Sequence, residues 1–338
     1  MTPDRACPLH YRYSPAVFKR AADLQAETSY VIGGLYGNRA ALAEILTMAA
    51  RETVAPTLVF NGDFNWFNVD ADDFAAINTE VLKHVALRGN VETELASTEE
   101  NDAGCGCAYP DYVDDGDVAR SNQIMQKMRE TASAFPELSA RLGSLPMHLV
   151  AQVGPDETKR FGIVHGDAES LAGWRFAHDS LHEPANTQWL FQVCDEAQLI
   201  GFASSHTCLP TFRRFKTGDA GDTGNTSNAA NTTAQARILI NNGAAGMPNF
   251  SHTKYGLISR ISIHPPGDDW TQYGNNIAGI YIDAMPVHYD AQLFQEKFLG
   301  NWPPGTPAHQ SYFQRIVHGP NYAPPHALGL VRAPSVCA

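Results

Sequence analysis

The chain has 338 residues, of which 43% are hydrophobic and 18% charged, with a net charge of −12. That composition can fill a sizeable core and excludes a disordered chain, while the acidic balance argues against a general grip on nucleic acid or on an anionic membrane. No apolar run approaches the ~20 residues of a membrane span, and the opening MTPDRACPLHYRYSP lacks the basic-then-apolar order of a signal peptide, so a cytoplasmic protein is expected.

Residues 1–28 are polar and mixed, with a short helix predicted over Phe18–Leu24. Tyr30–Ile32 reads as a buried strand ending at Gly33-Gly34, and 38–51 (NRAALAEILTMAAR) has helical periodicity and strong helix formers. Thr57–Phe60 is a second strand, closed by Asn61-Gly62-Asp63, and a helix is predicted from Asp73 to Leu87, running into Arg88-Gly89-Asn90. This alternation predicts βαβ units on a largely parallel sheet. Residues 98–117 are acidic and Gly-rich and read as a long loop; 121–141 is helical with a break at Pro136. Strands are predicted at 148–153, 161–164, 190–194 and 199–203, then at 237–240, 257–263 and 277–282. The alternating pattern of 257–263 suits an antiparallel or edge strand. Residues 217–235 are low in complexity and read as a surface excursion. The C-terminal part is rich in Pro and aromatic residues, with Trp302, His309, Tyr312 and Arg315 as a polar–aromatic cluster. The predicted partition is one domain over 29–290, with segments 1–28 and 291–338 packed on it.

Metal ligands in open α/β folds sit on loops just after strand ends. Four residues fit that pattern: Asp63 in FNGD, Asn90 in RGNVE, His165 in GIVHGD and His206 in GFASSHTCLP. One carboxylate, one amide oxygen and two imidazoles suit a transition metal such as Zn, Fe or Mn. Asn38, Arg39 and Arg88 lie beside these loops and are candidate substrate contacts, the arginines for an anion. Arg88 also suits a helix C-terminus. Asp167 and Glu169 either orient His165 or cap a helix beginning near Ser170. The stretch 241–249 either borders a substrate pocket or makes a structural turn. The six cysteines are too few for a disulfide framework. Cys105 and Cys107, in GCGC, are a redox-pair or ligand candidate, or simply part of a flexible loop.

The order GLYGN (34–38), GDFNW (62–66), GNVE (89–92), HGD (165–167) and SHTC (205–208) resembles the signature of the metallophosphoesterase (calcineurin-like phosphoesterase) superfamily. The resemblance implies a two-sheet α/β sandwich flanked by helices, with a C-terminal extension beyond it. It also implies a two-metal site at the strand ends and hydrolysis of small phosphate esters by a metal-bound hydroxide. Carried over by motif, Asp63, Asn90, His165 and His206 form a complete second metal site, with Asp63 as the bridging ligand and Asp63, Asn90 and His165 in the catalytic set. The first site is eroded. Its Asp falls at Gly34, its first His at Tyr36 and its last His at Cys208, so Tyr36 and Cys208 either serve as additional ligands or pack into the hole. The family's leaving-group acid falls at Val91 and the second-motif Asp at Trp66. The function expected is a hydrolase with a mononuclear or atypical dinuclear metal centre and a small-molecule substrate. An iron-dependent redox or lyase enzyme, or a non-catalytic binding protein, are the alternatives on the same fold. Nothing in the sequence bears on oligomeric state.

Overall fold

The computed structural model describes Arg5 and residues 8–97, 104–216, 236–268 and 270–333; the excursion read at 217–235 lies outside them. The strands are β1 (Leu24–Ala26), β2 (Thr28–Ile32), β3 (Thr57–Asn61), β4 (Val85–Leu87), β5 (His148–Val153) and β6 (Arg160–Val164). They continue with β7 (Gly201–Ser204), β8 (Thr211–Phe215), β9 (Arg237–Asn241), β10 (Gly256–Ser262), β11 (Tyr273–Ile277) and β12 (Ile280–Val287). The helices are α1 (Arg39–Arg51), α2 (Ala71–Val81), α3 (Asn90–Ala96), α4 (Asp115–Ala132), α5 (Pro136–Ser144), α6 (Pro184–Ala197), α7 (Ala291–Asn301), α8 (Pro307–His318) and α9 (Pro324–Ala327).

The strands form two six-stranded mixed sheets, ordered β11-β12-β10-β2-β3-β4 and β1-β5-β6-β7-β9-β8. The βαβ segments supply the parallel pairs β2/β3, β3/β4 and β6/β7, and β9 pairs parallel with β7 as well, after the chain has passed through β8. Strand alternation decides what each face meets. Val31, Val59, Ile163, Ala203 and Ile240 point between the sheets and make a shared apolar core. Tyr30, Ile32, Leu58 and Phe60 point the other way, under the helices that cover the first sheet. Val164, Phe202 and Leu239 do the same beneath α6. With both faces covered, the strands read as near-continuous apolar runs, and all five residues of β2 are buried. The result is a two-sheet α/β sandwich flanked by helices. Among the described residues no helix is long and apolar enough to cross a membrane.

Several elements differ from expectation for local reasons. Segment 190–194 belongs to α6, not to a strand: Thr187, Leu190, Val193, Cys194 and Ala197 are its buried face at helical spacing, and Pro184 opens it. The helix expected over Asp73–Leu87 ends at Val81, and Val85–Leu87 pairs beside β3. Segment 277–282 is the tip of a hairpin rather than one strand, because Ala278 and Gly279 both take positive φ, 53° and 85°, and turn the chain in two residues. In place of a helix over Phe18–Leu24 there is a 3-10 turn at Pro15–Phe18, followed by β1. Strand β10 is antiparallel, as its pattern suggested, but central, between β12 and β2.

Candidate metal centre

The carboxyl ends of β2, β3, β4, β6, β7 and β9 open on one rim of the sandwich, and the loops leaving them carry the candidate residues. Asp63 lies two residues beyond β3, with a positive φ of 53°. Gly62 before it also has positive φ, 78°, and a side chain there would meet the backbone nitrogen of Gly89 and the ring of His165 at 2.6 Å. A residue other than glycine would push apart the three loops that this turn brings together.

Four acceptor atoms converge on this rim. His165 Nε2 lies 3.2 Å from Asp63 Oδ2, 3.1 Å from Asn90 Oδ1 and 3.1 Å from His206 Nδ1. All four residues are buried. The remaining ring nitrogens are fixed from behind: His165 Nδ1 donates to the Asn61 carbonyl at 2.9 Å, and His206 Nε2 to the Cys107 carbonyl at 3.1 Å. A carbonyl only accepts, so in the neutral rings the protons sit on those outer nitrogens and both inner nitrogens present lone pairs. Asn90 Nδ2 donates to the Cys105 carbonyl at 2.8 Å, which turns its oxygen inward. Two lone pairs, an amide oxygen and a carboxylate facing one another are short of a positive charge at their centre. The donor set therefore fits a borderline transition metal. Asp63, His165 and His206 are a buried group whose ligand atoms all lie within 4.8 Å of one another.

The electrostatics set the two rings apart: His165 is favoured in its charged form beside Asp63 and presents a lone pair only when it gives up that proton, whereas His206 is held neutral. Burial raises the Asp63 carboxyl, but the charge and hydrogen bond of His165 outweigh it and hold its pKa below the ordinary value. Burial lowers His165, yet Asp63 opposite it raises it overall. His206 is pushed down to about 3, by burial first and then by repulsion from His165, so it stays neutral and ready to ligate.

Glu92 is the residue that motif reading passed over. It is fully buried, and its carboxylate accepts from the backbone nitrogens of Asp63 (2.7 Å), Gly89 (3.0 Å) and Asn65 (3.2 Å). It thus clamps the Asp63 loop onto the start of α3. Burial, then the charge of Asp63, push its pKa up to about 7. Its signal lay in GNVE, where an acid three residues into a helix can reach back to the N-cap.

Tyr36 and Cys208 meet at the side of this centre. A Cβ on Gly34 would sit 2.9 Å from the Tyr36 ring, so the phenol stands where a side chain at residue 34 would begin. Its hydroxyl lies 3.2 Å from Cys208 Sγ. Burial, before any neighbour, raises both the phenol and the thiol, and both are protonated at neutral pH. Such a pair does not fit a metal ion without losing its protons.

Asn38 caps α1 through Ala41 N and donates to the Gly246 carbonyl. Arg39 pairs with Asp73 at 2.9 Å, its side chain 56% exposed. Arg88 donates to the Gly143 carbonyl at the C-terminal end of α5, so the helix-end role applies to a helix other than the one before it. Asp167 caps a turn through Glu169 N and Ser170 N, with no helix following, and it does not touch His165. The 241–249 stretch is a strap: Ala245 N and Gly246 N donate to the carbonyls of Gly33 and Gly34. The sulfur atoms of Cys105 and Cys107 are paired. These two residues meet the centre through their carbonyls, and Cys107 Sγ lies 3.3 Å from Asn90 Nδ2.

A pocket leads from the centre, walled by Tyr36, Trp66, Tyr109, Trp174 and Tyr312, with Arg315 at its side. Tyr312 and Arg315 come from α8, so the C-terminal segment builds part of this pocket.

No protein-family model matches the chain, and no curated protein matches it. Solved structures do. A metallophosphoesterase from Sphaerobacter thermophilus superposes with a TM-score of 0.53 at 17% identity, covering 87% of this chain and 100% of that one. The fold is that of the calcineurin-like phosphoesterases. A hypothetical protein from Pyrococcus horikoshii is similar to the same extent, with a TM-score of 0.53 and 13% identity over 87% of this chain and 99% of that one. The four converging acceptors sit on the strand-end rim of this calcineurin-like sandwich.

Proposed function

We propose that this protein is a metal-dependent hydrolase of small phosphate esters. The observation that carries the proposal is the acceptor cluster of Asp63, Asn90, His165 and His206, with its outer nitrogens already committed to backbone carbonyls. These four residues would hold one transition-metal ion, Zn, Mn or Fe, and the ion would supply Lewis acidity to a phosphoryl group.

The chain's own groups narrow the substrate. Val91 stands at the pocket where an acid could have protonated a leaving oxygen, and its side chain offers no proton. A leaving group that departs without help from this position is favoured, one of low pKa. The walls of Trp66, Trp174 and Tyr109 present flat apolar faces. Both features favour an aryl or similarly planar ester. The test is turnover of p-nitrophenyl phosphate and bis-p-nitrophenyl phosphate by the metal-loaded protein, against glycerol phosphate. The aryl esters should react at least ~100-fold faster, in line with the usual worth of a general acid. No turnover of any of the three with zinc, manganese or iron would overturn the proposal.

A further inference from the structure

Arg315 is the only lysine or arginine among the described residues lining the pocket. It is 3% exposed. Its Nε donates to the Pro248 carbonyl at 3.2 Å and its Nη2 to the Cys208 carbonyl at 2.7 Å. Those two bonds fix the plane of the guanidinium. Nη1 is buried and has no hydrogen-bond partner among the described residues. Nor does any carboxylate among them pair with it. A buried guanidinium that lines a pocket without a paired carboxylate, held rigid by two carbonyls and with one donor nitrogen unpartnered among the described residues, is suited to receive an anion.

Its position gives the site a meaning. The carbonyl it holds belongs to Cys208, whose thiol meets the Tyr36 hydroxyl at the same pocket. We infer that Arg315 binds a phosphoryl or other anionic oxygen of the ligand, supplying from the C-terminal segment a positive charge at the pocket beside the metal residues. This inference rests on the phosphoester reading for its choice of anion, but the anion site itself does not require that reading.

The probe is inorganic phosphate, titrated by calorimetry into the metal-loaded protein and into the same protein after chelation. Arg315→Gln should weaken phosphate binding about tenfold or more in both forms, the usual worth of a charge-assisted bond, with its metal content unchanged. Arg315→Lys should recover part of the loss, because it restores the charge without the fork. If Arg315→Gln fails to fold, hydrogen exchange on the wild type decides: phosphate should slow exchange across 307–318 and 206–210. Unaltered affinity in a folded Arg315→Gln, no phosphate binding by the wild type, or protection confined to other segments would each overturn the inference. A wild type that neither holds metal nor cleaves esters, but binds phosphate in an Arg315-dependent way, would sink the hydrolase and leave the anion site standing.

Discussion

Glu92 shows how much of the centre depends on a side chain outside the four converging residues. Three backbone nitrogens from two loops end on its carboxylate. Glu92→Ala strands those donors in a buried place, and each unpaired donor costs about 1–3 kcal/mol. Chemical denaturation should show a loss of at least ~3 kcal/mol, together with weaker metal binding, since Asp63 is no longer held. Gly34→Ala should also destabilise the chain, by about 1–2 kcal/mol, because the new methyl meets the Tyr36 ring at 2.9 Å from a positive φ of 63°. At this scale the sequence is legible where a residue both follows a strand and has a chemistry of its own. Asp63, Asn90, His165 and His206 do so, and they converge. Glu92 and Arg315 are visible in the sequence, one in GNVE and one in the C-terminal cluster, but their roles are not, because each is held by backbone groups that only the folded chain brings near.

Among the elements, the edge strand β1 illustrates a short piece of chain held by charge. Asp23, just before it, accepts from Val150 N at 2.7 Å and from Arg20 Nη2 at 2.6 Å. Burial would raise its pKa, but those bonds and the Arg20 charge lower it from the ordinary 3.8. A carboxyl depressed in the folded state binds fewer protons there than in the unfolded chain at acidic pH, so its stabilisation is present above 3.8 and fades as pH falls through the folded value. Asp23→Asn should therefore be less stable than wild type at pH 7, and the gap between their melting temperatures should close as the pH falls below 3.8. The elements that sequence patterns misplace are those where two periodicities compete. The apolar run LFQVC of α6 suits a buried strand as well as a helix, and the tip of the β11–β12 hairpin hides its turn in an ordinary Ala-Gly. The βαβ frame is legible because its strands are apolar on both faces and its turns carry glycine.

At the scale of the whole molecule, the C-terminal segment is joined to the core and to the pocket together. Trp302 is 1% exposed, and its indole nitrogen donates to the Phe67 carbonyl at 3.0 Å. Phe298 and Tyr312 pack on Phe67 beside it. Trp302→Ala should cost about 3–5 kcal/mol in equilibrium unfolding. It should also raise KM more than it lowers kcat, because α8 carries Arg315 to the pocket while the metal residues lie on other loops. This coupling is not legible in the sequence. A Pro- and aromatic-rich tail gives no sign of which surface it covers, whereas the two-sheet frame is what the resemblance carried by the motif order implies.

The central claim is that four strand-end residues make one metal site, and elemental analysis of the purified protein beside His206→Ala measures it directly. The account predicts about one zinc, manganese or iron ion per wild-type chain and a near-complete loss in a folded His206→Ala. No metal after reconstitution, or the same metal content in the variant, would contradict it.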